Sequence, residues 1–138
     1  MIEIIIPGPP YALQRPRFGG GRAYDPQANR DAKKRIASIA REAWGERPVI
    51  VGPVKLTCMF VYAWPKSATK AQRGRPNGFY RHKRPDIDNC LKAIMDGVND
   101  AGNVWQDDGQ VAAVYAEQIH CNIEPMTRVT IEALWEQE

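Results

Sequence analysis

Three cysteines in 138 residues, Cys58, Cys90 and Cys121, are too few and too scattered for a disulfide framework or a zinc-finger spacing. They read as small, partly buried thiols in a reducing compartment. No apolar run approaches the ~18 residues needed to span a bilayer, so no membrane partner is expected. Met1-Ile2-Glu3 carries an acid where a secretory leader would carry base; the opening reads as a strand and the chain as cytoplasmic. Histidine is scarce too. His82 and His120, the only two, stand apart and support neither a zinc cluster nor a Ser-His nucleophile. Acid is missing from the first part of the chain: residues 1–85 hold 17 of the 19 Lys+Arg but 5 of the 16 Asp+Glu.

What is present is an ordinary globular composition, 43% hydrophobic and 25% charged, of a size for one domain spanning 1–138. The net charge of +3 conceals the asymmetry, because residues 86–138 carry 11 Asp+Glu against 2 Lys+Arg. A basic part that attracts a polyanion and an acidic part that can hold a cation suit an enzyme working on a phosphate backbone. The plain alternative is two opposite surfaces that pair with each other or with a second subunit.

Ile2–Ile6 reads as a strand stopped by Pro7-Gly8-Pro9-Pro10. Residues 11–25 read as a loop with Arg15, Arg17, Arg22 and the run Gly19-Gly20-Gly21, whose glycines allow close backbone approach to a phosphate. From Pro26 to about Trp44 the period is helical, with Ala32, Ile36, Ile39, Ala40 and Ala43 on one face and Lys33, Lys34, Arg35 and Arg41 largely outside it. Val54–Tyr62 alternates as a half-buried strand. Pro65 to Arg84 contains no acid. It carries Lys66, Lys70, Arg73, Arg75, Arg81, Lys83 and Arg84, interleaved with Phe79, Tyr80 and His82. Ser67–Arg73 has room for a turn or two of helix. Bases with aromatics suit backbone contact and stacking, and a flexible 65–85 segment would order on its ligand.

The acids follow at once. Pro85 sets an extended lead-in for Asp86, and Asp88 is the expected N-cap of a helix over 89–100. Ile87, Leu91, Ile94, Met95 and Val98 form its apolar stripe, with Asp88, Lys92 and Asp96 a second stripe on its flank. Gly102 is the expected stop. Trp105-Gln106-Asp107-Asp108-Gly109 connects to a strand over about Gln110–Cys121. Gathered carboxylates repel unless a cation lies between them, and Mg²⁺ needs only one or two, leaving room for water and phosphate. Singly, Asp88 is a helix cap and Asp107-Asp108 a turn. An EF-hand is excluded: counted from Asp86, its sixth position is Leu91 and its twelfth Gly97. Twelve helical residues span about 18 Å, so the doublet reaches Asp86 only if residues 102–107 run back along the helix.

Lys83 to Ala93, Asp96 and Trp105 to Val111 closely resemble the RusA family of Holliday-junction resolvases, found in bacteria and often their phages and prophages. The likeness covers most of the chain, and D-x-D-N-x-x-K followed some twenty residues later by D-D-x-Q-V is specific. It implies Mg²⁺ ligands Asp86, Asp88 and Asp108, with Mn²⁺ as an alternative ion, and a catalytic Lys92. Asp107 and Asp96 match supporting positions. It implies a homodimer with two sites, suited to paired nicks in four-way DNA. Lys66, Lys70, Arg73, Arg75, Arg81, Lys83 and Arg84, with Arg15 and Arg17, are expected to bind the junction arms. Two rivals stand beside this: a nuclease of flaps or other branched DNA without junction specificity, and a non-catalytic DNA-binding module.

The expected fold is one α/β domain with a mixed sheet of about four strands and two main helices on one face. The last strand, Met126 to Trp135, is expected to pair antiparallel with 110–121 across the Asn122–Pro125 turn.

Overall fold

In the computed structural model, which describes residues 1–135, the chain runs β1 (Ile2–Pro7), β2 (Arg17–Gly19), β3 (Arg22–Tyr24), α1 (Gln27–Trp44), β4 (Val54–Tyr62), α2 (Lys70–Arg73), β5 (Phe79–Tyr80), α3 (Ile87–Ala101), a 3-10 turn (Asp108–Gln110), β6 (Val111–His120) and β7 (Met126–Ala133). The mixed α/β class is as expected. The sheet has five strands rather than about four, in the order β1-β7-β4-β6-β5. The added strand, β5, is two residues of the basic segment paired to the end of β6. A separate hairpin, β2–β3, occupies part of the stretch read as a loop.

The expected β6–β7 hairpin does not form. β7 lies between β1 and β4, antiparallel to both, while β6 runs parallel to β4 on its other side. Burial explains the choice. Thr127, Val129 and Ile131 of β7 are all but sealed from solvent, which needs partners on both sides. They find Ile6, Ile4 and Ile2 on one flank and Phe60, Cys58 and Leu56 on the other. Of β6 only Ile119 is fully buried, and Val114 and Tyr115 are left exposed. The turn before β7 is tied to β1 instead, through the Gly8 amide donating to Pro125 O at 3.0 Å.

α1 and α3 pack together on one face of the sheet, where Ile36, Ala40, Trp44, Ile94 and Val98 meet Ile4, Leu56, Phe60, Val129 and Ile131 in one core. The buried face of α1 is rotated from the expected stripe: Ala37 and Trp44 join it, and Ala43 is exposed. On α3 the buried set is Cys90, Ala93, Ile94, Gly97, Val98 and Ala101, while Ile87, Leu91 and Met95 are only half-buried. Small residues lead because α1 comes close. A Cβ on Gly97 would stand 2.6 Å from Ile36 Cβ.

α3 also starts earlier than expected. Asp86, extended at φ −73° and ψ 146°, holds the N-cap position without a side-chain bond, and Asp88 lies in the first turn. Ile87 packs against the core, and that apolar contact draws the helix back by two residues. Gly102 ends it in the left-handed region at φ 79°, where glycine carries no Cβ penalty.

Candidate active site

The first turn of α3 sits over the carboxyl ends of the sheet's parallel pair, the place where open α/β sheets bind ligands. Tyr62 closes β4 and is paired in register with His120, the end of β6. Its hydroxyl lies 3.4 Å from Cys90 Sγ, inside α3. Burial is the main cause that raises both groups above their ordinary pKa values, so they are neutral packing groups beneath the acids.

Asp86 and Asp88 are exposed. Asp88 accepts from the Asn89 amide at 2.9 Å. Among the described residues neither acid is in an ion pair. Two solvated carboxylates two residues apart at the positive end of a helix dipole are thus available to a ligand. Lys92 follows one turn on, exposed on the same flank.

Arg81 delivers this pair. Its guanidinium lies 3.9 Å over the Tyr62 ring and donates to Lys83 O at 3.0 Å, Pro85 O at 3.2 Å and Gln118 Oε1 at 3.2 Å, and to Arg84 O. Its own amide donates to Gln118 O at 2.9 Å. A fork of donors closing on successive carbonyls fixes the turn from which Asp86 emerges. Expected from sequence as a DNA contact, Arg81 is half-buried and spends these donors on the chain's own oxygens.

Asp96 is pushed above the ordinary carboxylate range chiefly by burial, against the pull of Lys33 and Lys92, and Asp108 and Asp100 push it further. The 3-10 turn that carries Asp108 is in contact with α3. Lys33 bridges Asp25 at 3.2 Å and approaches Asp96 at 3.9 Å. Among the described residues no three Asp, Glu, His or Cys side chains gather closely enough to hold an ion. Asp86 and Asp88 lie together at the start of α3, and Asp107 and Asp108 lie at the 3-10 turn that leads into β6.

The family model for the endodeoxyribonuclease RusA matches residues 7–132. The chain belongs to the RusA endodeoxyribonuclease family. It is also similar to the uncharacterized protein YqaN of Bacillus subtilis (strain 168), 28% identical over 138 residues that cover 94% of each chain.

The RusA motif D-D-x-Q divides its labour here. Asp107 builds the turn, accepting from the Gly109 amide at 2.9 Å. Gln110 Oε1 accepts from the Gln106 and Asp107 amides at 2.7 and 3.0 Å, and its Nε2 donates to Ile50 O and Gly52 O at 2.8 and 2.9 Å. This is a capping box, legible as an acid followed three residues later by Gln; Gln110, expected to open a strand, closes this turn instead. Asp108, between them, makes no such side-chain bond among the described residues.

The basic segment of this RusA chain is tied down over much of its length. Thr69 and Gln72 cap α2 reciprocally. Arg73 donates to Ala68 O at 3.3 Å and Pro65 O at 3.0 Å. Asn122 joins Trp64 Nε1 (2.7 Å) to Arg73 O (2.9 Å), and Trp64 stacks on His120 with centroids 5.6 Å apart. Arg75 lies over Phe79 at 4.9 Å. Lys66, Lys70, Lys83 and Arg84 remain exposed. So do Arg15 and Arg17, the latter donating to Gln14 Oε1 at 3.3 Å. No helix among the described residues is long and apolar enough to cross a membrane.

Proposed function

We propose that the protein is a Mg²⁺-dependent endodeoxyribonuclease that resolves four-way DNA junctions by paired symmetric nicks, as a homodimer, in recombination and repair. The observation that supports it most is the Asp86/Asp88 pair, held ready at the carboxyl ends of β4 and β6 with exposed cations around it. The donors suit the ion: two solvated carboxylates without a cationic partner are a hard, oxygen-only set, and Mg²⁺ needs no more from a protein. Asp86 and Asp88 would hold it. Asp108, the third acid of the expected ligand set, would complete the coordination. When bound, the ion supplies an activated water and neutralises the leaving oxygen.

The chain's own groups do the rest. Lys92, one turn from Asp88, places an ammonium where the scissile phosphate gathers charge. Arg81 holds the turn of Lys83 to Pro85 that leads into Asp86, which limits the loss that misplacement causes. Lys83 and Arg84 are held against the site by that clamp, and with Lys66 and Lys70 they bind backbone phosphates and set register rather than sequence.

The test is a labelled synthetic four-way junction, with Mg²⁺, with Mn²⁺ and with EDTA, beside duplex and flap controls. Symmetric paired nicks on the junction, absent in EDTA, are expected. Asp88→Asn should lose cleavage by more than about 100-fold, the scale of one preorganised group, and still bind the junction. Cutting of every branched substrate alike would replace the resolvase with a general branched-DNA nuclease, and binding without cutting would remove the enzyme.

A further inference from the structure

The β2–β3 hairpin plays no part in the core and none in the acidic site. It is a two-stranded ribbon of three residues a side, every one of them exposed. A ribbon that short is marginal alone in water, so its shape must be imposed from its ends. Gly20 and Gly21 both have positive φ, 60° and 80°, the two-residue turn whose twist matches paired strands. The feet are held by one residue. Asn29, 2% exposed on α1, accepts from the Gln14 amide at 2.9 Å and donates to Gln14 O at 2.9 Å and Asp25 Oδ1 at 2.8 Å. One step earlier the Leu13 amide donates to Asn89 O at 3.2 Å. The arm is therefore rooted on the first turn of α3, beside Asp88.

Its two faces differ. Partners in register are Arg17 with Tyr24, Phe18 with Ala23 and Gly19 with Arg22. Successive side chains of a strand alternate, so Arg17, Arg22 and Tyr24 share one face and Phe18 stands on the other with Ala23 alone. Phe18 is 83% exposed, and of the large apolar side chains described only Met1 is more so. Between Glu3 and Asp25 there is no acid. A bare aromatic on a cationic, acid-free ribbon is the construction that inserts between bases while arginines hold phosphates.

Resting on the proposed action on branched DNA, we infer that residues 15–24 form a wedge arm whose Phe18 ring stacks on a nucleobase unpaired at the branch point. Arg15, Arg17 and Arg22 hold the flanking phosphates. The arm reads the branch, and its root places that branch beside Asp86 and Asp88.

The experiment compares wild type, Phe18→Ala, Phe18→Trp and Arg17→Ala/Arg22→Ala on a four-way junction and a linear duplex, in EDTA for binding and in Mg²⁺ for cutting. Base–aromatic stacking predicts that Phe18→Ala weakens junction binding by about 5- to 150-fold. Duplex binding should change less than about twofold, and Phe18→Trp should keep the junction preference. The double arginine variant should weaken both substrates and lower the salt slope by about two. With 5-iodouracil at the branch, ultraviolet crosslinking should tag the tryptic peptide Phe18–Arg22 in wild type and leave Phe18→Ala untagged. Unchanged melting of Phe18→Ala would show that the fold is intact. A wild type that binds and cuts junctions while Phe18→Ala does both equally well, uncrosslinked at that peptide, overturns the arm and leaves the nuclease standing. A wild type that neither binds nor cuts branched DNA refutes the nuclease and the arm with it. A Phe18→Ala chain that falls apart into monomers where wild type is dimeric, with its junction preference intact, reassigns Phe18 to a protein contact and overturns the proposal.

Discussion

Replacing Asn29 by alanine should loosen the fold by an amount the structure sets. The side chain accepts from Tyr11 Oη at 2.8 Å and the Gln14 amide at 2.9 Å, and donates to Gln14 O and Asp25 Oδ1 at 2.9 and 2.8 Å. Neutral intramolecular hydrogen bonds contribute about 1 kcal/mol each, so the three to Tyr11 and Gln14 put a ceiling of about 3 kcal/mol on the loss. Gln14 is exposed and regains water once released, which brings the expected cost to about 2 kcal/mol. At about 2.1 cal/mol/K per residue the unfolding entropy corresponds to a fall of about 7 °C in Tm. The bond to Asp25 appears in the pH dependence instead. The Asn29 amide is the leading cause that holds Asp25 below its ordinary 3.8. A depressed carboxyl stabilises the fold above its unfolded value, and that support is lost as pH falls through the lower folded one. Asn29→Ala should therefore show a shallower acid limb. Asn29→Asp keeps the acceptors but sets a carboxylate against Asp25 and Gln14 O, so it should be no more stable than alanine at pH 7 and recover in acid. Circular dichroism melts from pH 3 to 7 measure all of this, and exchange of the Gln14 amide reports the arm's foot directly. If Asn29→Ala melts within about 2 °C of wild type, the clamp carries no energy and the reasoning is wrong.

Gly97→Ala should lose about 1–2 kcal/mol in urea unfolding, because overpacking against Ile36 outweighs the helix preference of alanine; a stabilised variant would mean that α1 shifts freely. Asp96, raised chiefly by burial, is an acid that the fold prefers protonated. Stability from it grows as pH falls through the raised value toward 3.8, and Asp96→Asn should flatten the pH dependence of melting above pH 3.8; an unchanged slope would refute this. Arg81→Lys should keep the charge but lose the fork of carbonyl contacts, cutting kcat by about 10-fold or more with junction affinity changed little. Equal losses in binding and turnover would make Arg81 a DNA contact instead.

Much of the site was legible because its information is local. The alternation of Val54–Tyr62 and the helical spacing of Asp88, Lys92 and Asp96 each occupy a few consecutive residues, and each has its expected counterpart in the structure. What stayed hidden depends on distant partners. β7 could be read as a strand, but its neighbours are chosen by which strands can bury Thr127, Val129 and Ile131 on both sides. Arg81 looked like its basic neighbours; only Tyr62 and Gln118, far off in sequence, show that it is held by the chain itself. Asn29 was one polar residue in a helical pattern until residues 14 and 25 closed around it. The two-residue shift in the start of α3 is a local competition between a good capping acid and the pull of Ile87 on the core, which capping preference alone does not decide.

The place of β7 governs the order in which the molecule can be completed. β1, β4, β5 and β6 are all synthesised before it, yet β1 touches the sheet only through β7. Until residues 126–133 arrive, the opening strand has no hydrogen-bonding neighbour in the main sheet, and one flank of β4 lies bare. The emerging chain thus carries two unsatisfied apolar edges for most of its synthesis, a state that invites association with other chains. A nascent chain halted after His120 would hold the packed helices α1 and α3 and every acid discussed above, and still lack the strand that joins the first part of the sheet to the rest.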